Sequence, residues 1–172
     1  MKLVKFAAAI AVTALLAGCA GSISQPKAVM ALSSEQLSTI HIANITSDAA
    51  DGVKMTSGDF GMINAKVQSY IQSDSPGVMV TSSTPGALTL KLHFTKFDRG
   101  SAVGRAILIG LGQIHINADV LLVKSDGTVV GNYKVHKTFA LGGWVGAFTT
   151  VDEVEDGFAR SVAEVVKQKT AA

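Results

Sequence analysis

An alternation of residue types on either side of Asp126–Gly127 constrains the fold more than any other feature of this 172-residue chain. Residues at every second position share one face of two strands: Ile114, Ile116, Ala118, Val120 and Leu122 before the turn, and Val129, Gly131, Tyr133, Val135 and Phe139 after it. A period of two is typical of half-buried strands, and Asp-Gly favours a two-residue hairpin turn. This turn places Val120 opposite Tyr133 and Asp119 opposite Lys134, so the sequence predicts an antiparallel hairpin.

Two other segments carry apolar residues at helical spacing. The first runs from Phe60 to about Ser73, and Asp59 is its predicted N-cap. The second begins at Thr150 and Glu153, which have the spacing of a capping box. In such a box each of the two side chains accepts a hydrogen bond from the backbone amide of the other residue. The sequence therefore predicts one helix in the first half of the chain and one near its end.

Three further segments predict strands at residues 40–45, 78–80 and 88–97. The resulting order is β-α-β-β-β-β-α, in which a right-handed crossover makes the first two strands parallel and leaves the rest antiparallel. We therefore expect the α+β class, as a two-layer sandwich with a mostly antiparallel five-stranded sheet and two helices on one face. Residues 39–172 are expected to form this single domain.

The chain begins with the layout of a secretory signal, a basic start followed by an apolar run from Phe6 to Leu15. The next residues, Leu16-Ala17-Gly18-Cys19, resemble the lipobox of bacterial lipoproteins. The resemblance implies cleavage before Cys19 and attachment of fatty acyl chains, such as palmitate, to its thiol and its new amine. Residues 1–18 would be the signal peptide, and residues 19–38 a lipidated N-terminus and tether. Ala20 is not the aspartate of the best-known inner-membrane retention signal, so we expect an outer-membrane anchor with the domain facing the periplasm.

The charge of the mature chain gives no reason to expect nucleic-acid binding. The whole sequence has 15 basic and 13 acidic residues, but Lys2 and Lys5 leave with the signal, so the mature chain has 13 of each. Cys19 is the only cysteine. A single cysteine cannot form an intramolecular disulfide, so the hydrophobic core must stabilise the domain unaided.

Two glycine-rich stretches lie near the predicted hairpin. The first, Gly100–Gln113, has no lysine after Gly104 and has His115 where a dinucleotide fingerprint needs its third glycine, so it matches neither phosphate-binding motif. It is either a conformationally permissive connection between strands or a partner-binding loop. The second, residues 141–146, carries Trp144, which either covers the core or forms an exposed contact. Both stretches are expected at the same end of the hairpin, where they form one continuous surface.

Four histidines are predicted on the helix-free face of the sheet: His41, His93, His115 and His136. His115 and His136 are diagonal neighbours in the predicted register, so they are candidate metal ligands. Solvated histidines on a sheet face are the alternative interpretation, since no local spacing typical of a metal site supports binding. The sequence contains no nucleophile elbow or catalytic pair of carboxylates, and we expect neither enzymatic activity nor a cofactor.

From Phe94 onward the sequence resembles a family of bacterial envelope lipoproteins known as domain of unknown function 4410. The residues that carry the resemblance are Phe97-Asp98-Arg99-Gly100-Ser101, Gly104-Arg105, Gly110-Leu111-Gly112, Ala118-Asp119-Val120 and Asp126-Gly127. The resemblance implies a domain that faces the periplasm and has no assigned activity.

These observations predict a non-enzymatic interaction or accessory module of the bacterial envelope. We expect Arg99, Arg105 and Trp144 to contact an envelope partner or another copy of the chain. The alternative is a periplasmic lipoprotein that binds a ligand or metal through its histidine-bearing sheet face.

Overall fold

The structure, a computed structural model, describes residues 23–107, 112–139 and 148–167, with only the backbone described for residues 105–107. Cys19 and Trp144 lie outside the described residues. Within the described ranges no helix is long and apolar enough to cross a membrane.

Strands and helices follow one another in a mixed order along the described chain. They are β1 (Lys27–Met30), α1 (Ser34–Ser38), β2 (Ile42–Ala49), α2 (Ser57–Asp74), β3 (Leu88–Asp98), α3 (Ala102–Ile107), β4 (Ile114–Val123), β5 (Val129–Phe139) and α4 (Val151–Ala163), with a 3-10 turn at Glu164–Val166. The strands form one sheet in the order β1-β5-β4-β3-β2. β2 and β3 are parallel and the other pairs are antiparallel, which confirms the predicted α+β class and the mostly antiparallel sheet. The strand at 88–97 was predicted to be antiparallel, and this was wrong because β3 is the parallel partner of β2.

The predicted register of the hairpin is confirmed from the pair Ile114 and Phe139 to the pair Leu122 and Gly131. The predicted two-residue turn is wrong, because the pairing shifts by one residue beside the turn and places Val123 opposite Val129. Val120 lies opposite Tyr133, and Asp119 lies opposite Lys134 with 3.4 Å between the carboxylate and the ammonium group. Residues alternate between buried and accessible along β4, as the period of two requires. The local pattern alone fixes this register because a shift of one residue would turn every apolar side chain to the solvent.

Residues 78–80 were predicted to form a strand, and this was wrong because they form no strand of the sheet. Met79 forms only a single parallel bridge with Ile42, closed by hydrogen bonds from Ile42 N–H to the Val78 carbonyl (2.8 Å) and from Val80 N–H to the Ile42 carbonyl (3.0 Å). The fifth strand is β1 instead, inside the segment predicted as a tether. All four residues of β1 are exposed, so its sequence has no alternation from which a strand could be predicted.

β1 is held by few contacts. Lys27 pairs with Lys134, a juxtaposition of like charges, and a bulge interrupts the register between Ala28 and Met30. Just after the strand, Leu32 N–H donates a hydrogen bond of 2.8 Å to the buried hydroxyl of Tyr133. This bond fastens the end of the segment to the core, and it leaves β1 itself as a short, weakly paired edge.

Helix α2 begins three residues earlier than predicted. Its N-cap is Thr56 and not Asp59, because Thr56 and Asp59 form a reciprocal capping box in which Asp59 is the third helical residue. The apolar spacing revealed only the part of the helix from Phe60 onward. The predicted capping box of Thr150 and Glu153 at the start of α4 is confirmed.

The core lies between the sheet and the two long helices, which pack beside each other on one face. Phe94 on β3 is fully buried at its centre, with ring centroids 5.6 Å from Phe158 on α4 and 6.0 Å from Phe60 on α2. One side chain thus connects the sheet to both helices.

Truncation of Phe94 should therefore be among the most destabilising core substitutions. We expect Phe94→Ala to lower the free energy of unfolding by about 3–5 kcal/mol, because it removes buried apolar surface and leaves a cavity. Urea unfolding followed by circular dichroism measures this loss. Val103→Ala is the control, since Val103 is 69% exposed. A Phe94→Ala variant no less stable than this control would contradict the described core.

Candidate functional site

The first glycine-rich stretch is closed at its base by Gly100 and Gly112, which we call the glycine neck. Both residues have positive φ, +62° and +67°, where glycine is strongly favoured. A Cβ atom on Gly100 would overlap the Gly112 carbonyl oxygen, and one on Gly112 would overlap the Ser101 carbonyl oxygen. Ser101 N–H donates to the Gly112 carbonyl at 3.2 Å. The loop therefore leaves and re-enters the sheet through two backbones in direct contact.

Arg99 anchors the neck to the helix layer. Its guanidinium forms an ion pair with Asp59 at the start of α2 and lies 5.0 Å from the ring centroid of Phe97. Arg99 was predicted to contact a partner, but the structure engages it within the chain, although half of its side chain (51%) is accessible. The first function of Arg99 in this structure is to hold the end of β3 against α2.

The Asp59 carboxylate is buried and serves two purposes. One oxygen pairs with Arg99, and the other accepts hydrogen bonds from the Thr56 amide (2.7 Å) and the Thr56 hydroxyl (2.9 Å). Burial by itself would raise the pKa of Asp59, but the hydrogen bonds from Thr56 and the charge of Arg99 outweigh it and lower this pKa. Asp59 is therefore ionised when the helix is capped and the neck is anchored.

Neighbouring polar side chains complete the loop base. Gly100 N–H donates to the Asp98 carboxylate at 2.8 Å, and Gly104 N–H donates to the Ser101 hydroxyl at 3.1 Å. The residues from Phe97 to Ser101, which carry the family resemblance, thus build the neck together. The hydrogen bonds that these residues form give the motif a structural role at the base of the loop.

A second cluster of charges joins the two long helices. Lys66 of α2 lies 2.6 Å from Asp152, 2.9 Å from Asp156 and 3.9 Å from Glu155, all on α4. Although burial opposes the charged form, the hydrogen bonds to Asp152 and Asp156 raise the pKa of Lys66. The sequence analysis missed this cluster because the partners are 86 residues apart for Asp152 and more for the others.

Glu155 is the least accessible acid of this cluster, with only 2% of its side chain exposed. Burial raises its pKa, as do the negative charges of Asp152 and Asp59, whereas Lys66 and Arg99 act in the opposite direction. The raised pKa means that ionised Glu155 costs folding free energy.

The helix-free face of the sheet carries a separate polar group. Asp48 accepts a hydrogen bond of 2.6 Å from His93 and lies 2.7 Å from the Lys91 ammonium. His115 lies opposite Thr138 as predicted, with 3.1 Å between the ring nitrogen Nδ1 and the hydroxyl. Burial and, secondarily, the charge of Lys96 lower the pKa of His115.

Within the described residues, no group of three or more histidine, cysteine or acidic side chains could hold a metal ion. His115 and His136 are on the same sheet face, and metal binding by this pair stays a prediction.

The other predicted contact residues lie at the edge of what the structure describes. The backbone of Arg105 is in α3, and its side chain is outside the described part, as is Trp144. Ile114 pairs with Phe139, so the β3–β4 connection and the segment after β5 leave the same end of the sheet. The predicted proximity of the two glycine-rich stretches thus holds at their bases.

Adding a single methyl group at the neck should lower the free energy of unfolding by an unusually large amount. We expect Gly112→Ala to destabilise the fold by clearly more than Gly127→Ala. Both positions have positive φ, which costs roughly 1–2 kcal/mol for alanine, but only the Gly112 Cβ would meet backbone atoms. Thermal unfolding of the two variants gives the comparison. Equal melting temperatures would show that the neck is not closely packed.

The raised pKa of Glu155 predicts that the stability of the fold depends on pH. At pH below the usual pKa of 4.5, both folded and unfolded chains hold this proton, and Glu155→Gln should change stability little. As the pH rises above 4.5, the unfolded state releases the proton first and wild-type stability falls, so the relative stability of Glu155→Gln should increase until the folded-state pKa is passed. Urea unfolding from pH 4 to 8 measures the difference, with exposed Glu35→Gln as the control. A constant difference across this range would contradict the raised pKa.

Comparison with solved structures shows that the fold has relatives. A substituted form of PelC, described as a dodecamer from Paraburkholderia phytofirmans, is 10% identical, with a TM-score of 0.60 over 85% of this chain and 100% of that chain. A second PelC dodecamer structure from the same organism is 11% identical, with a TM-score of 0.54 over 81% of this chain and 93% of that one. At this identity the likeness is one of fold.

No curated protein matches the chain. The resemblance noted from the residues around the neck is confirmed by a family model that spans most of α2 and all of β3, β4 and β5. Residues 61–143 match the family described as "Domain of unknown function (DUF4410)".

Proposed function

We propose that this chain is a lipid-anchored module of the bacterial outer membrane that faces the periplasm and works by assembling with copies of itself. In this role it has no catalytic activity. The observation that carries the self-assembly is its fold, which covers 100% of one chain described as a PelC dodecamer and 93% of another. The lipobox-like Leu16-Ala17-Gly18-Cys19 supports the anchor.

The position of the N-terminal segment leaves only a short length of chain between Cys19 and the domain. Ser24 N–H donates a hydrogen bond of 2.8 Å to the Ser161 hydroxyl on α4. Ser24 is five positions after Cys19, and an extended chain of five residues spans at most about 18 Å. An acylated Cys19 would therefore hold the domain close to the membrane surface rather than on a 20-residue tether.

The polar clusters support a non-catalytic role. Arg99 and Asp59 hold the neck to α2, and Lys66 holds α2 to α4 through Asp152 and Asp156. These ion pairs form a scaffold that joins the end of β3 to α2 and α2 to α4. Such a scaffold fixes the end of the sheet that presents both glycine-rich stretches, which is the surface on which Arg105 and Trp144 are expected.

A comparison of wild type with Cys19→Ala tests the proposal in the full-length chain. In a bacterium that processes lipoproteins, we expect wild type to incorporate labelled palmitate and fractionate with the outer membrane. After detergent extraction, native mass spectrometry should find it as an assembly of several chains. Cys19→Ala should lose both palmitate and membrane association, because the acyl chains supply the membrane affinity.

Ser22→Ala is the matched control, and it should behave as wild type. Wild type without palmitate would overturn the anchor. Wild type that is monomeric after extraction at every concentration tested would overturn the self-assembly.

A further inference from the structure

The segment that follows the proposed anchor is held to the domain at both ends. Ser24 N–H donates to the hydroxyl of the fully buried Ser161 at 2.8 Å, and this hydroxyl donates in turn to the Gly157 carbonyl at 2.7 Å. At the other end, Leu32 N–H donates to the Tyr133 hydroxyl at 2.8 Å. The residues between these two bonds include β1, and they form a fixed edge of the domain instead of a loose tail. We call residues 23–31 the anchor-side edge.

The anchor-side edge exposes apolar side chains. Ile23, Val29 and Met30 are 45%, 60% and 49% accessible, and every residue of β1 is exposed. Among the described strands, β1 pairs only with β5. Exposed apolar side chains grouped on a strand edge are typical of a surface that a partner covers.

The same edge carries a surplus of positive charge. Lys27 is the only charged residue between positions 23 and 31, and it lies opposite Lys134 of β5. Paired residues direct their side chains to the same face of a sheet, so both ammonium groups are on the helix-free face. Lys134 lies 3.4 Å from Asp119, but Lys27 forms no ion pair with a described residue. Like charges directly opposite each other destabilise a sheet unless an anion lies nearby.

Basic and apolar side chains thus share one surface. Met30 lies opposite Asn132, two residues before Lys134 on β5, so its side chain is also on the helix-free face. This combination fits the boundary of a lipid bilayer. Apolar groups there enter the acyl region, while lysine ammonium groups stay among the headgroup phosphates.

The length of chain before this edge brings it close to the membrane. Cys19 lies within about 18 Å of Ser24, because five extended residues span no more than this. Lys27 is three positions after Ser24, and three extended residues span at most about 11 Å. An acylated Cys19 would therefore hold β1 near the bilayer that takes up its acyl chains.

The helix layer is less suited to this contact. α2 and α4 together carry six acidic and two basic residues. Asp152 and Glu153 are exposed in the first turn of α4. An anionic membrane surface repels such a layer and attracts lysines, so charge favours the β1 side of the domain.

We propose that the anchor-side edge rests on the anionic lipid headgroups of the membrane that holds Cys19. Its exposed apolar side chains lie at the acyl boundary, and Lys27 and Lys134 lie among the phosphates. This inference rests on the lipid anchor proposed above and adds a second, non-covalent attachment to it. The acyl chains fix one point of the protein, whereas the edge fixes its orientation. The sheet stands with β1 toward the membrane and β2, at the opposite edge, away from it.

Fluorescence quenching from the headgroup region tests the contact. Full-length Val29→Cys and Met30→Cys are labelled with a maleimide-coupled NBD fluorophore, which does not react with an acylated Cys19. The acylated proteins are reconstituted in vesicles of phosphatidylethanolamine and phosphatidylglycerol that contain nitroxide-labelled headgroups. We expect strong quenching at both positions. The matched control is Met62→Cys on α2, which should be quenched little although Met62 is 45% accessible, nearly as much as Met30.

The charge of the lipid should change the contact. Each lysine near an anionic surface strengthens binding by about fivefold. Lys27→Gln and Lys134→Gln should therefore each lower the contact equilibrium constant, derived from the quenching at Met30→Cys, by about this factor. Lys54→Gln is the control, since Lys54 is exposed in the connection between β2 and α2. Replacement of phosphatidylglycerol by uncharged phosphatidylcholine should lower the quenching as well.

Palmitate incorporation, measured in the same samples, separates the possible failures. Palmitoylated protein with labels at Val29 and Met30 quenched no more than the label at Met62 would overturn the inference while the anchor stands. Protein without palmitate would overturn both. Equal quenching in charged and uncharged vesicles would overturn the part assigned to the lysines.

Native mass spectrometry after detergent extraction distinguishes the membrane from a second copy of the chain. Met30→Lys should keep the mass of the wild-type assembly, because the edge faces lipid. A shift of this variant to a smaller assembly would show that another copy covers the edge, and would overturn the inference.

Discussion

The end of the sheet that carries both glycine-rich stretches depends on one buried carboxylate. Asp59 completes the N-cap of α2 with one oxygen and holds Arg99 with the other. The helix start and the end of β3 are therefore fixed by the same group, 40 residues from Arg99 in the chain. Without a partner, a buried ionised carboxylate would be costly, so the pair and the cap support each other. The glycine neck rests on this arrangement because Gly100 directly follows Arg99.

The sheet and the two long helices are also joined by a few side chains. Phe94 packs against an aromatic ring from each long helix, and Lys66 connects α2 with the first turns of α4. The apolar contact supplies most of the stabilisation, since ion pairs with a solvent-exposed partner, such as Lys66 with Asp152, contribute little. The ion pairs instead fix which face of α4 meets α2.

Local sequence signals predicted the parts of the fold that depend on local rules. The pairing of β4 with β5 was predicted up to Leu122 and Gly131 because strand alternation and an Asp-Gly turn restrict the register, whereas the shift beside the turn was not predicted. α4 was predicted from its capping box and apolar stripe. β1 could not be predicted, since all its residues are exposed and its pairing is with a strand about 105 residues later. The start of α2 was misplaced because Asp59 has the residue type of an N-cap but serves as the third residue of a capping box.

The candidate site shows the same division between local and distant information. The glycine-rich stretch and its arginines were recognised from the sequence, but the pairing of Arg99 with Asp59 and of Lys66 with α4 joins distant segments. A sequence pattern reports the residue types that a site uses, and the tertiary structure decides whether they face a partner or each other. Arg99 illustrates this, since the residue predicted at a contact surface forms an ion pair with Asp59 within the chain. Half of its side chain stays accessible, and its contact with a partner stays a prediction.

The glycine neck has a consequence for how far the loop it closes can vary. Because the chain crosses itself at Gly100 and Gly112, the distance between the ends of β3 and β4 is set by these two residues and not by the loop between them. The entropic cost of closing a loop grows only with the logarithm of its length, so a few inserted or deleted residues add little. The neck thus separates the sequence of the loop from the register of the sheet. The length and sequence of the loop can therefore change while the fold that carries it stays constant.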